Sequence, residues 1–167
     1  MNPEFPSVED VIRPIETADD AAVAGIIRQV MSEFGAVGCR FSSADPEVDA
    51  MTAAYAGPRS AFFVIERAGR VLGCGGMGPL AGGDPDVCEL RKMYFLPELR
   101  GCGLGSELLE RILEAARASG YRRCYLETLE HMYDARRLYL RRDFQSIDAP
   151  LGHTGHSGCN HWMVRTI

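Results

Sequence analysis

Residues 87–116, VCELRKMYFLPELRGCGLGSELLERILEAA, constrain the fold more than any other stretch of the chain. Val87 to Phe95 reads as a strand and Pro97 as the turn after it. Arg100-Gly101-Cys102-Gly103-Leu104-Gly105 follows and leads into an amphipathic helix over about 103–119. Leu104, Leu108 and Ile112 lie on one face of that helix, Glu107, Glu110, Arg111 and Glu114 on the other. Ser119-Gly120 closes it. The first turn of such a helix leaves backbone N–H groups without partners, and the positive end of its dipole favours an anion. Glycines let the backbone approach that anion closely, and Arg100 adds a forked cation at the mouth.

Two common glycine motifs fail here. A P-loop needs Gly-Lys-Ser/Thr, and no Lys-Ser or Lys-Thr follows a glycine. The dinucleotide fingerprint needs G-x-G-x-x-G, whereas Gly101, Gly103 and Gly105 are followed by Ser106. The pattern Arg-x-x-Gly-x-Gly, after an aromatic strand and a Pro, is more specific. The stretch CELRKMYFLPELRGCGLG resembles the central strand and coenzyme-A pyrophosphate loop of the GNAT superfamily of N-acetyltransferases.

The rest of the chain reads as a strand at 11–15, a helix at about 19–33 and a loop at 34–43. A second short helix is expected at about 46–55, capped by Asp45 with Pro46 at its first position. Strands follow at 60–66 and 71–77, joined by Ala68-Gly69-Arg70. Glycines 73, 75, 76 and 78 predict close approach of a backbone or a ligand. Beyond the central helix come a strand at 124–127, a helix at 132–142, and strands at 144–148 and 159–165. This predicts an α+β (mixed α/β) fold in a single domain, 1–167, with residues 1–9 as a flexible tail. The resemblance implies a mixed, mostly antiparallel sheet of about seven strands with a central splay, flanked by about four helices.

Composition excludes other classes. A net charge of −5 argues against a nucleic-acid partner. No apolar run approaches the ~20 residues of a membrane span. The acidic start, MNPEFPSVED, is unlike a secretory signal, and six cysteines without a Cys-x-x-Cys pair fit reduced thiols, so the expected location is cytoplasmic. Oligomeric state is left open, with a homodimer permitted.

The resemblance also implies a chemistry: transfer of acetyl from acetyl-CoA, the co-substrate, to an amine. It places the backbone of Met93, Tyr94 and Phe95 against the pantetheine arm and the thioester oxygen, and the loop Arg100, Gly101, Cys102, Gly103, Leu104, Gly105 and Ser106 on the pyrophosphate. Tyr139, in Ala-Arg-Arg-Leu-Tyr ahead of Asp143-Phe144, matches the family tyrosine that protonates the leaving thiolate. Asp143 stands where a Gly is usual, and Met132 where many members have an Asn. Glu89 matches a strand position where some members carry the base that deprotonates the amine; Glu127 is its rival. Strict alternation would put Glu89, Arg91, Met93 and Phe95 on one face and Leu90, Lys92 and Tyr94 on the other.

His153, His156, Cys159 and His161 form a cluster whose spacing matches no usual zinc pattern, and no metal is expected. In the family this loop borders the acceptor. His153 and His156 are therefore candidate substrate contacts, their neutral rings accepting from an amine, with residues 32–45 opposite. The expected activity is acetylation of a small primary amine by direct attack. A protein or peptide acetyltransferase and a non-catalytic acyl-CoA-binding module are the alternatives.

Overall fold

The computed structural model describes residues 9–167; the expected N-terminal tail falls almost wholly on residues 1–8, outside them. The elements are β1 (Asp10–Pro14), α1 (Asp20–Glu33), α2 (Met51–Ala54), β2 (Ala61–Arg67), β3 (Arg70–Pro79), β4 (Val87–Phe95), α3 (Leu104–Ala118), β5 (Arg123–Thr128), α4 (Tyr133–Arg141), β6 (Gln145–Ile147) and β7 (His161–Thr166). Their order is the expected one. The stretch expected as one helix at 46–55 instead divides at Ala50, whose φ of −146° is not helical, leaving a 3₁₀ turn at Pro46–Asp49 and the single turn α2. The last strand starts at His161, so Cys159 lies in the loop before it.

All seven strands form one sheet in the order β1-β2-β3-β4-β5-β7-β6. Only the β4–β5 pair is parallel, and it is brief: Val87, Cys88 and Glu89 pair with Arg123, Cys124 and Tyr125. From Leu90 to Phe95, β4 has no β5 partner, whereas β5 stays paired to β7 along its whole length. The sheet therefore opens at its centre.

Helices cover both faces. The apolar stripe of α3 (Leu104, Leu108, Leu109, Ile112, Leu113) packs on Ile65, Leu72, Met77 and Leu90. On the other face, Val23, Ile26, Ile27 and Val30 of α1 pack with Val48 and Met51 against Phe62, Val64 and Cys74. The glycines of β3 serve protein packing. A Cβ on Gly73 would come within 2.8 Å of the Phe95 ring, and one on Gly75 within 3.2 Å of the Met93 backbone. They let β4 and α3 close down on β3.

The expected alternation along β4 breaks at Lys92. Its φ is +52°, and two residues of β4, Lys92 and Met93, face the single Gly75 of β3 between the pairs Arg91–Gly76 and Tyr94–Cys74. This is a β-bulge. It shifts the phase, so Leu90 joins Met93 and Phe95 on the α3 face, while Tyr94 packs on the α1 side. Glu89, expected beside Met93, lies on the opposite face.

Candidate active site

A cleft occupies the opening between β4 and β5, bordered by Glu89 to Tyr94, Leu126 to Leu129, Tyr139, His156 and Cys159. One side is backbone. Leu96 N–H donates to Leu72 O at 2.9 Å, and bonding to one antiparallel neighbour uses alternate residues. Tyr94 thus spends its backbone groups on Cys74, while Phe95 and, past the bulge, Met93 turn theirs towards the opening. Of the three residues expected to offer main-chain contacts, two are so placed. Tyr94 instead brings its hydroxyl, 3.2 Å from Ser42 Oγ.

The glycine loop lies at the end of β4. Gly101 and Gly103 have φ of +75° and +87°, and Gly103 stands at the N-cap of α3 with no side-chain cap. The first intrahelical bonds run from Ser106 and Glu107 N–H to Gly103 O, at 3.1 and 3.3 Å. The N–H groups of Leu104 and Gly105 before them have no hydrogen-bond partner among the described residues, as an anion site requires. Gly105 packs against Leu138, and the Cys102 thiol donates to Leu99 O at 2.8 Å. Arg100 differs from expectation. Its Nε donates to Phe95 O at 2.9 Å and an Nη pairs with Glu33 at 2.7 Å. It ties the end of β4 to α1.

Tyr139 stands on α4, buried against Phe144 with ring centroids 5.7 Å apart, and borders the cleft. Burial, assisted by nearby Cys124, raises its pKa, so the phenol holds its proton. Asp143, two residues past the end of α4, takes φ +62°, the conformation a glycine would favour, in the turn into Phe144. Met132 also borders the cleft, and its sulfur accepts from Thr128 Oγ1 at 3.6 Å.

The other side of the cleft is a network of charges. Glu89 is 4 % exposed, and its Oε2 accepts from Arg91 Nε at 2.7 Å. Burial raises its pKa against the pull of Arg91. Lys92, turned inward by the bulge with its side chain 1 % exposed, pairs with Asp45 at 2.7 Å and Glu47 at 2.8 Å. Asp45, expected as a helix cap, makes no cap bond; its carboxylate lies between Lys92 and His156 Nε2, the latter 3.1 Å away. His156 Nδ1 faces Glu127 at 3.6 Å. Glu127 also accepts from Tyr125 at 2.8 Å and Thr154 at 2.7 Å. Burial would raise Glu127, but hydrogen bonds from His156, Thr154 and Tyr125 outweigh it and keep its pKa low.

The expected neutral His156 is thereby overturned. Asp45 and then Glu127 raise its pKa to about 9 against the cost of burial, so near neutral pH it is an imidazolium that donates from Nε2 to Asp45 and turns Nδ1 towards Glu127. His153 does not reach the cleft; its exposed ring covers Gly82 and its N–H donates to Ala81 O at 2.7 Å. His161 pairs with Ser146 at 3.1 Å. The sequence cluster of three histidines and Cys159 is therefore dispersed. A different trio could hold a metal: Glu89, Glu127 and His156 each bring a ligand atom within 4.8 Å of the others.

The loops expected to oppose one another in fact touch. Gly158 N–H donates to Arg40 O at 3.0 Å, and the Phe41 ring lies over Gly158. Lys92 was not anticipated as part of the site, and Asp45 only as the last residue of the stretch 32–45 expected opposite the loop. The pair Asp45–His156 spans 111 residues of sequence, which no local pattern announces.

Comparison with known proteins agrees with this geometry. The family model for the acetyltransferase (GNAT) family matches residues 28–144. The uncharacterized N-acetyltransferase YjgM of Escherichia coli (strain K12) is 42% identical over 158 residues, covering 94% of this chain and 95% of that protein. Among solved structures, a GNAT-family acetyltransferase from Staphylococcus aureus Mu50 aligns with a TM-score of 0.83 at 17% identity, over 95% of this chain and 99% of that one. The structure of yncA from Salmonella typhimurium with its cofactor acetyl-CoA aligns at 0.74 and 22%, over 95% and 94%. An open seven-stranded sheet, a glycine loop ahead of α3 and a match across most of the chain lead to one conclusion: this protein belongs to the GNAT family of acetyltransferases.

Proposed function

We propose that the protein transfers acetyl from acetyl-CoA directly to the primary amine of a small molecule. The observation that carries this reading is the cleft at the β4–β5 opening. It is bordered on one side by protonated Tyr139 and on the other by buried Glu89. The N–H groups at the start of α3 suit the pyrophosphate, and the main-chain N–H groups of Met93 and Phe95 that turn towards the opening suit the pantetheine arm as an added strand.

In the transfer, the amine nitrogen bonds to the thioester carbon and the carbon–sulfur bond breaks. Glu89 takes the proton that nitrogen loses, for which its raised pKa suits it. The Met93 and Phe95 backbone donates to the oxygen that becomes negative. Tyr139 gives its proton to the departing thiolate, so the products are an amide and a free thiol. A covalent acyl-cysteine is disfavoured. Burial, Glu127 and Glu89 push the Cys159 thiol up to about 12, which keeps it un-ionised. Contact between the loops at Arg40 and Gly158 narrows the acceptor side and favours a small molecule over a peptide.

The test is free-thiol release from acetyl-CoA across a panel of amines and peptides. Tyr139→Phe should lower kcat by ~10²–10⁴-fold and leave acetyl-CoA affinity nearly unchanged. Wild-type turnover in that variant removes Tyr139 from the mechanism.

A further inference from the structure

We infer that the acceptor is a cationic amine bearing no carboxylate beside its amino group, gripped by Glu127 while Glu89 takes its proton. This deepens the acetyltransferase reading and rests on it. The argument starts from the two carboxylates, which differ in their surroundings. Glu127 accepts hydrogen bonds from Tyr125 and Thr154 and faces His156 Nδ1 at 3.6 Å. It is fixed in place and can attract a cation without being consumed by it. Glu89 uses only Oε2, on Arg91. Its Oε1 has no hydrogen-bond partner among the described residues, although the side chain is 6 % exposed and borders the cleft. A carboxylate held by several partners suits an anchor, and one with an oxygen left open to the cleft suits a base.

The cations of the cleft provide the second line of evidence. Arg91 is spent on Glu89 and on Pro79 O. Lys92 is enclosed between Asp45 and Glu47. His156 lies between Asp45 and Glu127. Four acidic side chains thus face three basic ones, all three of them already paired, so the acidic groups of the cleft outnumber the basic by one. An ammonium ion completes that balance. A carboxylate on the carbon next to the amine would enter the same space, find no cation free to receive it, and face Glu127 and Glu89 at close range. α-Amino acids are therefore rejected on the acceptor side, although they present the same primary amine.

The experiment compares matched pairs that differ by that one carboxylate: phenethylamine with phenylalanine, tyramine with tyrosine, histamine with histidine. Thiol release from acetyl-CoA gives kcat/KM for each. The expected result is a preference of roughly 10²-fold or more for the amine in each pair accepted, the scale of a like-charge contact a few ångström apart after partial screening. Glu127→Gln should raise KM for the amine at least tenfold, shrink the preference and leave KM for acetyl-CoA unmoved. Equal or reversed preference in the wild-type enzyme overturns the inference and leaves the acetyltransferase reading standing. Thiol release with neither member of any pair, from protein that binds acetyl-CoA, overturns both. Metal in the purified protein, with amine turnover lost on chelation and restored by the ion, also overturns it, since Glu89, Glu127 and His156 would then be ligands.

Discussion

On one flank, along β4 past the bulge and on to the start of α3, the groups left unpaired among the described residues are main-chain N–H donors. On the other, from Asp45 to His156, the groups are ionised side chains held by one another. The difference follows from what each flank has to recognise. A pyrophosphate and a pantetheine arm are the same for every substrate, and backbone donors, set by a bulge and a helix start, meet them without needing a particular side chain. An acceptor differs from enzyme to enzyme, and a charge network can be retuned one residue at a time. The backbone flank should therefore tolerate loss of side chains and resist added charge, and the charged flank should do the reverse.

The strongest test of the backbone flank adds a charge. Ser106→Glu places a carboxylate in the first turn of α3, where the helix dipole favours it, so folding stability should change by less than ~0.5 kcal/mol. Coenzyme-A affinity should nevertheless fall by roughly 10–100-fold, because the new anion occupies the site of the pyrophosphate. Isothermal titration beside a melting curve separates the two effects. Undiminished affinity would move the phosphate site away from α3.

The charged flank predicts a pH signature. His156 is held near 9 in the folded protein against an ordinary 6.5, by Asp45 and Glu127, with Glu89 adding to the pull and Lys92 and Glu47 completing the surroundings. A raised folded pKa contributes stability that is complete below pH 6.5 and lost as pH climbs through 9. The melting temperature should fall across that interval, by an amount equivalent to at most about 3 kcal/mol. Asp45→Asn should flatten the slope and lower stability at pH 7 by roughly 1–3 kcal/mol, since Lys92 loses a partner while remaining buried. A slope identical to wild type would detach His156 from Asp45.

The smallest effect tests backbone strain away from both flanks. Asp143 holds φ +62°. Asp143→Gly should stabilise the protein by about 1 kcal/mol in thermal unfolding, with turnover unchanged.

These flanks also differ in how far they can be read from sequence. The run from Val87 to Ala118 was legible almost to the residue, because strand, glycine turn and helix are each specified by neighbours in sequence. Glu89 and Tyr139, singled out by resemblance, do line the cleft, because each sits at a fixed register in an element that neighbours in sequence specify. The bulge was not. Nothing local warns that a lysine will adopt φ +52°, yet it turns Lys92 inward and separates Glu89 from Met93. Asp45 carries the local signature of a helix cap before Pro46, and tertiary charge overrides it. His153 and His156 look alike in sequence. Only the loop's bonds to Ala81 and Arg40 decide that one covers Gly82 and the other enters the cleft.

The brevity of the β4–β5 junction has a mechanical consequence. β5 is joined to β7 over six pairs and to β4 over only three, so the weakest seam of the ladder runs through the site. Fluctuations that cost least part the molecule along that seam, with β1 to β4 moving as one plate and β5 to β7 as another. A ligand that lies along the seam and bonds to the free edge of β4 acts as a rivet between the plates. Its arrival should slow amide hydrogen exchange in β7, a strand it never touches, and its departure as product should release that protection in the same step.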